Sequence, residues 1–363
     1  MIDIITLHDI CNPGSIFQAY ALNKYILDLG YDCQIIDYVP SYSHIGKNKI
    51  KGILKNILFG KNYKIIKNKY RIFMQQNMKL TEHRYRTYQE LKYKLPVVDL
   101  YVVGSDQLWN RDYDCGNDDS YYLKFVNNVP KMSYATSLGK KNISETDLKY
   151  ISERITDFTT ISVREKSSSS LLSSKLKKDV QWVCDPVFLL EKDCYTKNLK
   201  RKIKDKYIVV YLSAATELLE QLLKTIQEER KYKIVLLGGN ITRCTCDFHV
   251  KDMGPEDFLS YLYYAEAVLS SSFHATAFSH IFHKKFGVIL PEKNGERIES
   301  LLSLSDLENH IITKKEEYEN ILLEIDYQGV DKKIEAFVEE SKNYLTCSIV
   351  KMLTDKERNV KKY

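Results

Sequence analysis

The stretch Ile2-Asp3-Ile4-Ile5-Thr6-Leu7, followed by Gly14 to Leu29 and then Cys33 to Tyr38, sets the fold class. A short apolar run gives way to a helical pattern and then to a second apolar run, which is a βαβ signal. The same alternation resumes at Val97 to Val103, Met132 to Ala135, the helical span Ser144 to Asp157, Ile161 to Val163 and Val180 to Val183. Such alternation predicts a parallel sheet covered by helices on both faces. Cys184-Asp185-Pro186 closes this half, and the lysine-rich stretch Lys192 to Lys206 reads as a linker.

The second half repeats the logic. Strands are expected at Tyr207 to Leu212, Lys233 to Leu237, Ala267 to Ser271 and Phe286 to Ile289, with helices at Glu217 to Arg230, Pro255 to Ala265 and Phe273 to Phe282. The expectation is therefore an α/β chain of two Rossmann-like domains facing across a cleft. Residues 1–190 would form the first, with a basic helical insertion at 41–95. Residues 191–363 would form the second, whose last helix, Lys332 to Leu353, packs back.

A chain of 363 residues that is 44% hydrophobic can bury a core of two ordinary domains. The opening residues lack a basic segment followed by an apolar stretch and a small-residue cleavage site. No later run approaches about 18 apolar residues. The expected location is cytoplasmic. The 8 cysteines are scattered, so they read as reduced thiols or core residues. Cys244, Cys246 and His249 lack a second ligand pair, and no metal is expected.

The net charge of +6 hides an asymmetry. No acid lies between Asp37 and Glu82, while Lys47, Lys49, Lys51, Lys55, Lys61, Lys64, Lys67, Lys69, Arg71 and Lys79 crowd in. Interleaved Ile53, Leu54, Ile57, Leu58 and Phe59 make part of this segment amphipathic. It reads equally as a helix lying on an anionic membrane or as a solvated basic face. Nucleic acid is not expected, because no recognised binding motif accompanies the charge.

Open parallel sheets bind ligands beyond the carboxyl ends of their strands, so the residues that follow each apolar run are the ones to read for chemistry. In Val102-Val103-Gly104-Ser105-Asp106-Gln107-Leu108-Trp109-Asn110, an apolar strand delivers a hydroxyl, a carboxylate and an amide. Asp106 can orient or deprotonate a hydroxyl; alternatively Ser105 or Asp106 caps a following helix. In Ile161-Ser162-Val163-Arg164-Glu165, Arg164 offers a planar fork of donors for a carboxylate or phosphate, or is a surface ion-pair partner.

The stretch Val268-Leu269-Ser270-Ser271-Ser272-Phe273-His274-Ala275-Thr276-Ala277-Phe278 ends a strand in serines and opens a helix on a histidine. An anion can settle at such a helix start and His274 can donate a proton near neutral pH, or the histidine simply completes a cap. His280 and His283 are read as non-catalytic. Asn12-Pro13-Gly14-Ser15-Ile16-Phe17-Gln18 leads into the first helix, but is too poor in glycine for a dinucleotide fingerprint. No phosphate-binding G-x-x-x-x-G-K-[ST] loop and no G-x-S-x-G elbow occurs, which argues against an NTPase or an ordinary serine hydrolase.

Together and in this order, these stretches resemble the polysaccharide pyruvyl transferase family. The carrying motifs are N-x-G-x-x-x-Q-A-Y-A-L, V-G-S-D-Q-x-W-N, S-V-R-E and S-F-H-x-T-A-F-S. Supporting pieces are Ile35-Ile36-Asp37-Tyr38, Ser133-Tyr134-Ala135-Thr136-Ser137, Asp185-Pro186 and Asn294-Gly295-Glu296-Arg297-Ile298.

The resemblance implies a GT-B-like architecture and transfer from phosphoenolpyruvate, with no cofactor, onto hydroxyls of a hexose in a surface polysaccharide or its lipid-linked precursor. It implies His274 as proton donor. The donor would be held by Arg164, Ser271, Ser272, Phe273, His274 and Arg297. The acceptor would meet Asn12, Gln18, Ser105, Asp106 and Gln107. Family members can carry a basic residue beside the histidine, where this chain has Ser272, so the donor anion is expected to lean on Arg164, Arg297 or a lysine of the basic segment. Membrane contact would run through 47–71, at the inner face. A nucleotide-sugar glycosyltransferase and a non-catalytic partner in polysaccharide assembly are the alternative readings.

Overall fold

The computed structural model describes residues 1–44, 49–214, 216–230, 232–238 and 245–360, taking 43–44, 49–62, 229–230 and 355–360 as backbone only. Two compact units divide the chain. The first contains Met1–Gly60, Arg71–Leu190 and Ala336–Tyr363; the second contains Lys61–Tyr70 and Glu191–Glu335.

The first unit holds β1 (Ile2–Ile5), β2 (Cys33–Ile35), β3 (Leu100–Val103), β4 (Lys131–Ser133), β5 (Ile161–Val163) and β6 (Val180–Trp182). Every pairing is parallel: β2, β1, β3 and β4 run side by side, and β5 pairs with β6. Parallel bridges from Met132 to Thr160 and from Thr136 to Val163 link β4 to β5. Others, from Ile35 to Leu80 and from Tyr38 to Tyr85, add residues 80–85 beyond β2. The order is thus 80–85, β2, β1, β3, β4, β5, β6, and it reverses between β1 and β3.

β1 and β3 are buried along their whole length, as a central parallel strand covered on both faces requires. Asp3 is the exception in character. Its carboxylate accepts from Gln34 Nε2 at 2.9 Å, yet burial pushes its pKa up to about 6. The first helix, Pro13–Asp28, begins where proline at its first position and Asn12 at its cap dictate.

The second unit holds β7 (Tyr207–Tyr211), β8 (Lys233–Leu237), β9 (Phe248–Val250), β10 (Ala267–Ser270) and β11 (Lys285–Val288), in the parallel order β11-β10-β7-β8-β9. Here the reversal falls between β7 and β10. Ile208, Val210, Leu219, Leu223, Ile234 and Leu269 form the core on one face.

Apolar runs overshoot the strands at several ends. Ile36 and Tyr38 lie past β2 but remain buried and still bond to their neighbours, Ile36 N to the Ile4 carbonyl at 2.8 Å and Tyr38 through its bridge to Tyr85. Val97, read as strand, is 80% exposed and precedes β3. The insertion 41–95 comprises a turn at Ser41–His44 and helices Lys49–Asn77 and Tyr88–Lys94. Lys47 lies outside the described residues, as do the side chains of Lys49, Lys51, Ile53, Leu54, Lys55, Ile57, Leu58, Phe59 and Lys61. Among the described residues no helix is long and apolar enough to cross a membrane.

The last helix, Tyr327–Val360, is longer than the expected Lys332 to Leu353, and from Ala336 onward it groups with the first unit, not with 191–335. There Ser341 Oγ accepts from the Cys184 backbone at 2.9 Å, and the Phe337 ring lies 4.4 Å from Trp182, centroid to centroid.

Candidate active site

A sheet whose strand order reverses leaves a crevice beyond the carboxyl ends of the two strands at the reversal. In the first unit those ends lead into Thr6–Asn12 after β1 and Gly104–Asn110 after β3. At Gly104 a Cβ would meet Thr6 Cβ at 2.9 Å, so glycine lets the two loops come together. Thr6 Oγ1 then donates to the Ser105 carbonyl at 2.9 Å.

Asp106 sits at this point with φ +81°, a conformation that aspartate tolerates better than most side chains. Its carboxylate is gripped on both oxygens: Ser15 Oγ donates to Oδ2 at 2.5 Å, and the Gln107 backbone donates to Oδ1 at 2.8 Å. No helix follows β3 directly, so neither Ser105 nor Asp106 is a helix cap. Gln107 Oε1 accepts from Asn110 Nδ2 at 2.8 Å, under Gly139, where a Cβ would meet that oxygen at 2.2 Å.

Arg164 lies just after β5 and is 3% exposed. Its guanidinium is ion-paired with Asp185 and lies 3.4 Å from Ser105 Oγ, which itself donates to Asp185 at 3.1 Å. Arg164 is therefore an ion-pair partner, but in the interior and not on the surface as expected. Glu165, fully buried, accepts from Ser137 Oγ and from the Leu138 backbone at 3.3 Å. The pair that follows β5 thus holds the loops that follow β3 and β4.

Asn12 and Gln18 are likewise engaged. Asn12 Oδ1 caps the first helix, accepting from Gly14 at 2.8 Å and Ser15 at 3.2 Å. Gln18 is fully buried, and its amide donates to Thr6 Oγ1, to the Leu7 carbonyl and to the Ser15 carbonyl. Beside them, His8 Nε2 lies 2.9 Å from Asp37, which also accepts from Arg84 Nε at 2.7 Å. Burial raises the Asp37 carboxyl, but the hydrogen bonds of His8 and Arg84 outweigh it and hold the group below its ordinary range.

In the second unit the switch point lies between the loops after β7 and β10. Ser271 Oγ accepts from the Ser213 backbone at 3.0 Å, and Ser270 Oγ accepts from the Ser272 backbone at 2.9 Å. Ser272 caps the helix Phe273–Ile281, accepting from Ala275 at 3.5 Å. His274 stands in the first turn of that helix, nearly buried, its ring 5.2 Å from that of Phe273. The Arg297 guanidinium lies 5.8 Å over the other residue of this pair, Phe273.

His280, a turn and a half further along, is fully enclosed. Its Nδ1 donates to the Thr276 carbonyl at 2.9 Å, and burial pushes its pKa down to about 4. His283 pairs with Asp331 at 3.2 Å on the surface.

The structure thus gathers Ser105, Asp106, Gln107, Asn12, Gln18 and Arg164 within the first unit, and Ser271, Ser272, Phe273, His274 and Arg297 within the second. Ser15, Glu165 and Asp185 all lie inside the quoted stretches, but their partnerships are not legible there. Among the described residues no group of three or more histidine, cysteine or acidic side chains is disposed to hold a metal ion. Cys244 lies outside the described residues, and His249 Nε2 donates to the Gly238 carbonyl at 2.8 Å.

Solved structures share this arrangement of strands and helices. UDP-N-acetylglucosamine 2-epimerase from Rickettsia bellii is 11% identical, with 100% of this chain and 99% of that one covered and a TM-score of 0.54. S. aureus MnaA, in a co-structure with UDP, is 11% identical over 94% of this chain and 90% of that one, at 0.53. A putative UDP-N-acetylglucosamine 2-epimerase from Listeria monocytogenes is 10% identical over 96% and 95%, also at 0.53. At these identities the likeness shows the fold alone: the protein is of the GT-B-like α/β class, with a doubly wound parallel sheet in each unit. No curated relative matches the chain. The family model for polysaccharide pyruvyl transferase matches residues 12–292, and the chain belongs to that family of enzymes.

Proposed function

We propose that this enzyme transfers the enolpyruvyl unit of phosphoenolpyruvate to two hydroxyls of a hexose in a surface polysaccharide or its lipid-linked precursor, closing a pyruvate ketal. The observation that carries the reading is the second unit's switch point, where His274 stands in the first turn of a helix that opens directly after Ser270, Ser271 and Ser272. A helix start of this kind favours an anion without requiring a buried cation.

The chemistry balances without a further reactant. His274 protonates the methylene carbon of phosphoenolpyruvate, leaving an oxocarbenium-like carbon that the first hydroxyl attacks. Phosphate then departs with its electron pair, and the second hydroxyl bonds to the same carbon. One hydroxyl proton replenishes the histidine and the other leaves with phosphate. Asp106 orients and relieves the attacking hydroxyl of its proton. Arg297, beside Phe273, supplies positive charge to the donor. Arg164, engaged by Asp185, acts by holding Ser105 in place, and Asn12, Gln18 and Ser105 shape the acceptor side through the contacts given above. No cofactor takes part in this reading.

The test is phosphate release from phosphoenolpyruvate with and without a panel of galactosides and mannosides. Sugar-dependent release that is lost in His274→Ala supports the reading. Release absent with every sugar, together with tight binding of a nucleoside diphosphate, would replace it with nucleotide-sugar transfer. The basic segment 47–71 would bring the enzyme to the inner membrane face; vesicle binding unchanged by charge reversal at Lys51, Lys55 and Lys61 removes that part.

A further inference from the structure

We infer that Ser15 is a positioning residue that fixes the Asp106 carboxylate for the acceptor hydroxyl, an assignment that rests on the reading just proposed. Ser15 occupies the first turn of the helix Pro13–Asp28, and its own backbone N–H is already satisfied by the Asn12 cap. Its hydroxyl is therefore not needed to start the helix. It reaches across 91 residues of sequence to Asp106 Oδ2 at 2.5 Å. An O–H···O⁻ bond of that length is of the charge-assisted kind, roughly twice as strong as a neutral one.

The geometry at the other end explains the need. Asp106 lies at the switch point with a left-handed backbone, which turns its side chain out of the strand direction. The Gln107 backbone, one residue away, donates to Oδ1, and Ser15, from the first helix, donates to Oδ2, so the two contacts restrain the carboxylate from different elements. Each carboxylate oxygen has a second lone pair, so a carboxylate held at both oxygens can still accept an incoming hydroxyl. The Ser15 hydroxyl is spent on Asp106, and it acts through that residue. Two-point fixation of this sort is what a base requires to meet a hydroxyl in a reactive orientation.

The experiment compares wild type, Ser15→Ala, Ser15→Thr and Asp106→Asn in the full chain. Asparagine keeps the left-handed backbone of position 106, removes the charge and turns one acceptor oxygen into a donor. Three quantities are read: phosphoenolpyruvate affinity, affinity for the galactoside and mannoside panel without donor, and kcat and KM for the sugar. Ser15→Ala should lower kcat/KM for the sugar and sugar affinity in the direction of Asp106→Asn, by roughly tenfold, the scale of a lost hydrogen bond to a charged group. Phosphoenolpyruvate affinity should not move, the thermal midpoint should fall with the lost buried bond, and Ser15→Thr should recover most of both losses.

If wild type binds sugars in a way that depends on Ser15 and Asp106 but releases no phosphate from phosphoenolpyruvate, the donor assignment fails and the positioning role stands. If Ser15→Ala behaves as wild type toward every sugar, including a panel that neither binds, the inference is overturned. An equal loss in Ser15→Thr with a lowered thermal midpoint also overturns it, in favour of a packing role.

Discussion

At the first unit's switch point, Asp106, Arg164, Glu165 and Asp185 are buried and tied to one another's loops; at the second unit's, His274 stands in the first turn of a helix that follows a run of hydrogen-bonded serines. Both crevices come from the same strand order, so the difference lies in how each holds charge. A buried ion pair gives shape at a cost in desolvation and has little left to offer a ligand. Backbone N–H groups at a helix start remain oriented toward an incoming anion and bring no buried cation to neutralise. Under the proposed function, the first crevice holds the acceptor side through buried pairs and the second meets the donor anion at a helix start.

The largest expected effect divides the two crevices by readout. His274→Ala should cut turnover by about 10² to 10⁴, the usual contribution of general acid catalysis, with the urea midpoint unchanged. Arg164→Ala should do the reverse in kind, lowering stability by about 3–5 kcal/mol because the buried Asp185 carboxylate loses its cation. The double variant Arg164→Met with Asp185→Leu should lose less than Arg164→Ala, as read from denaturant midpoints. If Arg164→Ala folds as well as wild type, the first crevice is not organised by that pair.

Acid and base limbs sharpen the contrast further. His280 in the second unit binds its proton less readily folded than unfolded, so its contribution to stability falls as the pH drops from about 6.5 toward about 4. Asp3 in the first unit holds its proton more tightly folded than unfolded. Its contribution is complete below about 3.8 and is lost as the pH rises toward about 6. Urea midpoints measured across this range should show a shallower acid limb in His280→Gln and a smaller decline from pH 4 to pH 6 in Asp3→Asn. The smallest effect is at Ser272: replacing this cap by alanine should cost about 1 kcal/mol in thermal unfolding.

Reading the sequence located these crevices because the signal there is local. An apolar strand that stops abruptly at Ser105 or Ser271 is visible in a few residues, as is a helix opening after Ser272. Partnerships are another matter. Ser15 and Asp106 are joined only by the return of the chain to β3, and Arg164 and Asp185 only by the pairing of β5 with β6. Arg164 illustrates the consequence: its chemistry suited a donor anion, while its burial against Asp185 depends on contacts no spacing encodes. The helix Lys166–Leu176 also escaped notice, because its run of serines gives almost no apolar stripe. Strand β9, Phe248–Val250, did so because it is a short edge strand with no buried residue.

The course of the last helix has a consequence for the order of synthesis. The ribosome finishes Trp182 and Cys184 well before it makes Phe337 and Ser341, which cover and bond them. At about 5–20 residues per second, that edge of the first sheet emerges roughly 8–30 seconds ahead of its cover. A fragment ending at Leu190 would keep the edge bare, whereas adding residues 336–360 as a separate peptide should restore its protection from proteolysis.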